Sequence, residues 1–197
     1  MKFASKNKFF LALLLCIVFP VSHLFSSQLH KINDFEISFK IPISVPIFTA
    51  SKNEGVYTFW QTGYKNVATG IEVDVGVFIS DSVSLGGAMG YNFAYDRGDK
   101  LFSKVPLLFR FNYFPLSLEN IEVPISLGLG VNYFKYRSME HIVPEFMLES
   151  GFNIFWSYNW AFAFRVGANL YAELYKDASK INISGMLPIT IGVTYRK

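Results

Sequence analysis

The sequence of 197 residues holds one cysteine, three histidines and few charges, only 17% of the chain. Cys16, the lone cysteine, sits inside an N-terminal apolar run. With that run removed, no disulfide scaffold, thiol nucleophile or cysteine-based metal site is left. Long apolar stretches are also scarce. Outside Phe9 to Phe19, nothing approaches the roughly 20 apolar residues that a membrane-spanning helix needs, which excludes a helical membrane protein of several spans. Low charge does not mean disorder here, because 51% of the residues are hydrophobic and 18% aromatic. The chain is thus rich in apolar side chains that no helical span gathers up. A transmembrane β-barrel reconciles the two, since it carries its lipophilicity on alternate residues.

The first residues form an address. Lys2, Lys6 and Lys8 precede the run Phe9 to Phe19, Pro20 ends it, and Ser22, Ser26 and Ser27 follow. Eleven residues are too few to cross the bilayer, so residues 1–27 read as a secretory signal peptide, cleaved between Ser22 and Gln28. Residues 28–197 are then the barrel domain. Leu15 stands before Cys16 where a lipoprotein needs a small residue, which argues against lipidation. The formal charge of +3 is that of the three leader lysines, so the remaining chain is neutral and gives no reason to expect a nucleic-acid partner.

Eight segments alternate with period two, the signature of strands with two unlike faces. The first runs Phe35, Ile37, Phe39, Ile41, Ile43, Val45, Ile47 over Glu36, Ser38, Lys40, Pro42, Ser44 and Pro46. The others span Ile71 to Ile79, Val83 to Tyr95, Val105 to Tyr113, Ile121 to Tyr133, Phe146 to Trp156, Trp160 to Leu174 and Ile183 to Tyr195. In the sixth, Met147, Ser150 and Phe155 break the alternation, which points to a bulge. Pro42, Pro46, Pro124 and Pro188 fall within segments and predict bulges or frayed ends, since each lacks a ladder donor. Short connections at Ser80 to Ser82, Ser117 to Asn120 and Ser157 to Asn159 alternate with longer ones at Phe48 to Gly70, Asp96 to Ser103, Arg137 to Val143 and Lys176 to Asn182. That is the rhythm of inner turns and outer loops, with both termini periplasmic.

Whether the apolar face points outward to lipid or inward to a ligand is decided by the other face. Gly86, Ala88, Gly90, Gly128, Gly130, Ala161, Ala163, Gly167 and Gly192 make it small. Glycine weakens a solvent-facing strand, whereas the interior of an eight-stranded barrel is narrow. The apolar face also covers about 20–25 Å, at about 3.3 Å per residue and roughly 40° tilt, close to the outer-membrane apolar band. Trp156, Trp160, Tyr113 and Tyr195 gather at one interface, while Tyr91, Phe93, Tyr95 and Tyr133 lie toward the other. The fold class expected is all-β, an eight-stranded antiparallel up-and-down transmembrane β-barrel.

Over Gln28 to Lys197 the chain resembles the small outer-membrane barrels of the OmpW, OmpX and OmpA-barrel type. The resemblance is architectural. Leu187, Ile189, Ile191, Val193 and Tyr195 resemble their C-terminal assembly signal, which usually ends on the aromatic; here Arg196 and Lys197 follow. It implies residence in the cell outer membrane, contact with its lipid, and insertion by the barrel-assembly machinery.

Lys40, Asp74, Arg110, Glu149 and Arg165 fall near mid-height on the inward face and are expected to form a charged network in the lumen. Tyr57, Phe59, Trp60 and Tyr64 crowd the first outer loop and are candidate contacts for a partner or lipid. No catalytic residue, metal site or cofactor is expected; Ser138, Glu140 and His141 cluster without motif spacing. The expected function is a non-enzymatic, narrow conduit for small or hydrophobic solutes, as OmpW resemblance implies. One alternative is a non-conducting barrel whose loops bind host or envelope partners, as OmpX resemblance implies. A lipid A-modifying barrel enzyme is the third.

Overall fold

A computed structural model describes residues 30–51, 55–58, 67–95, 101–118, 120–136, 139–173 and 182–197. Residues 1–27, expected to be a signal peptide, lie outside it, as do Phe59, Trp60 and Tyr64. Among the described residues nine strands form one sheet: β1 (Phe35–Ser51), β2 (Gly55–Thr58), β3 (Ala68–Ser80), β4 (Val83–Tyr95), β5 (Leu101–Ser117), β6 (Ile121–Tyr136), β7 (Met139–Phe155), β8 (Trp160–Glu173) and β9 (Asn182–Arg196). Each long strand pairs antiparallel with its neighbours, and β1 pairs with β9 from Glu36–Arg196 to Ser51–Asn182. The sheet closes into an eight-stranded up-and-down barrel, and closure removes the free edges that would otherwise pair with other chains. β2 is an addition, a short strand folded back on the far end of β1 through Phe48–Thr58 to Ser51–Gly55.

The apolar face points outward. Phe39, Ile71, Leu107, Phe109, Leu129 and Phe162 are exposed on the outside, while Lys40, Glu72, Leu108, Arg110 and Ala163 beside them are buried. The exterior therefore suits acyl chains and the interior is polar, the arrangement of a transmembrane barrel. One end, here the turn end, holds both described termini and the three short turns, of which Asp81–Ser82 is the tightest. At that end Trp156 and Trp160 stack 6.3 Å apart, and Tyr195 lies 5.0 Å from Trp160 and 6.0 Å from Phe35. Tyr158, at the tip of its turn, is 92% exposed.

Two expectations are corrected by the register. β7 holds one register against β6 from Ile121–Ile154 to Tyr136–Met139, so no bulge interrupts it. Met147 points inward and Ser150 outward with unbroken alternation. Ser150 is tolerated there because its hydroxyl donates to the Pro124 carbonyl at 3.1 Å. The connection after β6 is also shorter than the reading from Arg137 to Val143: pairing continues to Tyr136–Met139 and leaves only residues 137–138. Lys135 and Glu140, opposite each other and 3.0 Å apart, extend this hairpin beyond the apolar belt. The Lys135 ammonium, hydrogen-bonded to Glu140, holds that carboxyl below its ordinary range.

The prolines act differently from one another. Pro46 coincides with a register shift, between Pro46 and Phe48 on the β9 side, and Pro115 with another, between Tyr113 and Leu116 on the β6 side. At Pro42, Pro106 and Pro188 the register is kept and two rungs vanish. Against β3, β1 passes from Lys40–Glu72 to Ile43–Thr69 across Pro42. The same gap faces Pro106, between Met89–Leu107 and Asn92–Lys104, and Pro188, between Val166–Ile189 and Asn169–Met186. Pro124 leaves a gap against β7, from Glu122–Asn153 to Ile125–Ser150, and on its β5 side faces the shift between Tyr113 and Leu116, the bulge expected there. At Pro42, Pro106 and Pro188 the missing N–H removes rungs on one side of the strand, and the other side holds the alignment.

Candidate functional site: a charged lumen closed by side chains

Inward positions of a narrow barrel must fill it without collision, and the register shows how this chain does so. Large charged side chains stand across from glycines on a neighbouring strand. Glu36 faces Gly76, Lys40 faces Gly192, Glu72 faces Gly90, Glu149 faces Gly167 and Arg165 faces Gly151. Glu145 faces Gly130, and Arg110 has a glycine on each side, Gly86 and Gly128. Each glycine leaves room for the charged neighbour to lie across the lumen. At Gly130 the strands also come so close that a Cβ would sit 2.0 Å from the Leu107 carbonyl oxygen.

Arg110 is the centre of the middle layer and is 1% exposed. Its Nη1 donates to Asp74 Oδ2 at 2.7 Å, and its Nη2 reaches Glu72 Oε1 and Glu149 Oε2, each at 3.0 Å. The same Nη2 lies 3.1 Å from the Met147 sulfur. Lys40 completes the layer through an ion pair with Asp74. Four of the five lumen residues expected from the sequence, Lys40, Asp74, Arg110 and Glu149, thus come together. Glu72, absent from that set, belongs with them; its position two residues before Asp74 on the same inward face was the available signal.

Arg165 stands apart. Its guanidinium donates to the carbonyls of Phe152 and Phe164, each at 2.9 Å, and to Asn153 Oδ1 at 2.6 Å. Asn153 in turn donates to Glu122 at 3.3 Å, which links Arg165 to the turn end. There Arg196 pairs with both Glu122 and Glu36. Its guanidinium carbon lies 4.9 Å from the Phe78 ring centre and 5.1 Å from that of Phe155. His30 stacks on Phe78 at 4.1 Å, also buried. None of this turn-end cluster was singled out from the sequence, because His30 precedes the first strand and Arg196 follows the last aromatic.

Toward the loop end the filling becomes aromatic. Lys104 bonds the Tyr171 hydroxyl and lies 4.6 Å from that ring's centre. Asn169 donates to Glu145 at 2.8 Å, and Asn132 bonds the same carboxylate. Phe102 packs 5.1 Å from Phe134, which meets Tyr171 edge-on at 5.7 Å. A cavity of about 30 Å³ remains among Pro46, Phe48, Phe102, Phe134, Tyr171 and Met186. Another, of about 10 Å³, lies among Glu72, Lys104, Glu145, Glu149 and Asn169. The second has room for about one water. A wider space, a vestibule of about 650 Å³, lies at the turn end, lined by Lys31, Asp34, the Phe155–Asn159 turn, Arg196 and Lys197.

Of the loop aromatics expected to make contacts, Tyr57 lies in β2, its backbone opposite Thr49. Phe59, Trp60 and Tyr64 are outside the described residues. Glu140 and His141 sit in β7 rather than in a loop, and Glu140 is paired with Lys135.

Known structures share this fold. Neisserial surface protein A (NspA) superposes with a TM-score of 0.61 over 82% of this chain and 96% of its own, at 9% identity. The outer membrane protein OprG from Pseudomonas aeruginosa does so with 0.51 over 85% and 97%, at 16% identity. No curated protein matches the sequence. A family model matches residues 20–195, nearly the whole sequence, and the chain therefore belongs to the family that model defines, with the fold of an eight-stranded transmembrane barrel.

Proposed function

We propose that the protein resides in the outer membrane, with its termini and short turns in the periplasm. It is a non-enzymatic barrel that works through its loop-end surface, binding envelope or host partners, rather than by conducting. The observation that carries this reading is the filled lumen. Arg110, held by three carboxylates, spans the middle, and the adjoining cavity has a volume of only about 10 Å³. Opening that layer means parting a buried cation from its partners, which is strongly unfavourable. The exposed apolar belt is the contact with membrane lipid, and insertion by the barrel-assembly machinery follows from that residence.

Planar-bilayer recording of the refolded protein is the test. The wild type is expected to show no reproducible conductance. Steady wild-type conductance would overturn the closed reading. The conduit for small, hydrophobic solutes is the second reading, favoured by the apolar cavity among Phe48, Phe102, Phe134 and Met186. Saturable uptake of an apolar solute into vesicles carrying the protein would establish it in place of the first.

A further inference from the structure

The turn-end mouth is closed by a piece of chain that belongs to no strand. Residues 31–34 make a tight turn: the Lys31 N–H donates to Asp34 Oδ2 at 2.8 Å, and the Asp34 N–H to the Lys31 carbonyl at 3.0 Å. Asn33 takes the left-handed conformation this requires, with φ of 75°. Two backbone bonds fasten the turn to β3, Asn33 N–H to the Phe78 carbonyl at 2.9 Å and Phe78 N–H to the Asp34 carbonyl at 2.8 Å. The turn directs His30 into the mouth, where only 1% of it is exposed. The imidazole lies flat on Phe78, 4.1 Å away at 12°, and leans on Phe114 at 5.1 Å.

We propose that His30–Asp34 is a releasable stopper, a periplasmic gate between the vestibule and the lower lumen. Three features separate a stopper from a wall. First, the segment lies outside the strand ladder, so its departure leaves the β1 pairing with β3 and β9 intact. Second, the imidazole is held by a single polar contact, Nε2 to Glu122 Oε1 at 3.1 Å, and its Nδ1 has no partner. The cluster it touches is already joined without it, because Arg196 bonds both Glu122 and Glu36. Third, there is space to swing into, the vestibule that Lys31 and Asp34 themselves line. Behind the stopper and the Arg196 pairs beside it stands the next lumen layer, where the Ser38 and Thr194 hydroxyls bond at 2.8 Å, both buried. This gate is independent of the Arg110 layer above it, and either can fail without the other.

Thiol labelling tests the gate cleanly, since the sequence without its leader has no cysteine. Ser38→Cys reports the layer behind the stopper. Ser44→Cys, buried beyond Lys40 on the same strand, reports whether the barrel as a whole has loosened. The refolded protein in detergent, with folding verified by its gel shift on boiling, is treated with a charged maleimide. Two independent changes weaken the stopper: His30→Ala removes the stack, and Asn33→Val strains the turn. Expected is slow labelling at Ser38→Cys with the native stopper, and labelling roughly tenfold faster or more with either change, Ser44→Cys staying slow throughout. Fast labelling at Ser38→Cys with the native stopper overturns the proposal. So does an unchanged slow rate in both variants, which would make the segment a wall. Parallel acceleration at Ser44→Cys also overturns it, since His30 would then be a brace for the whole barrel.

Discussion

Replacing Arg110 by alanine removes the cation on which the middle of the lumen is organised. Its guanidinium lies 2.7–3.0 Å from oxygens of Asp74, Glu72 and Glu149. At an effective dielectric of about 20, unit charges about 4 Å apart attract by about 4 kcal/mol, so the three pairs represent about 12 kcal/mol before desolvation is counted. Most of that is offset by the cost of burying the charges. Without Arg110, the three carboxylates share Lys40, which already pairs with Asp74. Breaking a buried pair by removing one partner costs about 3–5 kcal/mol, mainly because the other charge stays behind. Arg110→Ala is therefore expected to lower the stability of the folded barrel by about 3–5 kcal/mol, roughly two to four powers of ten in the unfolding equilibrium. Urea titration in lipid vesicles, read by tryptophan fluorescence and by the fraction of unshifted band on unboiled gels, measures it. A combined Arg110→Met, Glu72→Gln and Glu149→Gln variant removes the cation together with two of its partners. It is expected to recover most of the loss, since the penalty lies in the uncompensated charges. An Arg110→Ala midpoint within about 1 kcal/mol of wild type would refute the reasoning, and so would a triple variant no more stable than the single one.

Two further expectations use the same titration. Gly130→Ala places a Cβ 2.0 Å from the Leu107 carbonyl oxygen and is expected to cost about 1–3 kcal/mol, whereas outward Gly87→Ala, whose nearest neighbour is 3.4 Å away, is tolerated. Equal effects at the two positions would contradict the close approach of β5 and β6. Phe109→Lys, on the outer face beside Arg110, is expected to destabilise the barrel by about 2–4 kcal/mol in vesicles if that level lies at mid-membrane. Little change would place lipid elsewhere.

The strands were legible because alternation is a local property. Ile37 and Ile71 announce their face from their neighbours alone, and closure follows from the even number of such segments. Met147 and Ser150 misled for the same reason: residue type suggested a broken alternation where the backbone keeps it, through a cross-strand bond to Pro124 that no local pattern contains. The length of the β6–β7 hairpin was hidden likewise. Lys135 and Glu140 look like loop residues in sequence, yet they are cross-strand partners. Nothing in the order of residues brings His30 to Arg196 except closure itself, which sets the start of the first strand beside the end of the last.

The glycines show where local reading stops and register begins. As single residues they indicated only a narrow interior. Their pairing adds that Arg110 lies between Gly86 and Gly128, and that Lys40, Glu72, Glu145, Glu149 and Arg165 each face a glycine. A slip of one residue between two strands would set inward residues against outward ones and lose this match everywhere along the pair. The charges therefore specify the alignment as much as they fill the space. That role survives whether or not the lumen ever opens, because a buried ion network can be retained for the register it enforces even where apolar packing would serve stability as well. The prolines fit the same logic: Pro42, Pro106 and Pro188 each delete rungs without moving the register. A barrel aligned by backbone bonds alone would have less to hold it there; one aligned also by cross-lumen charges and glycine gaps tolerates the missing rungs.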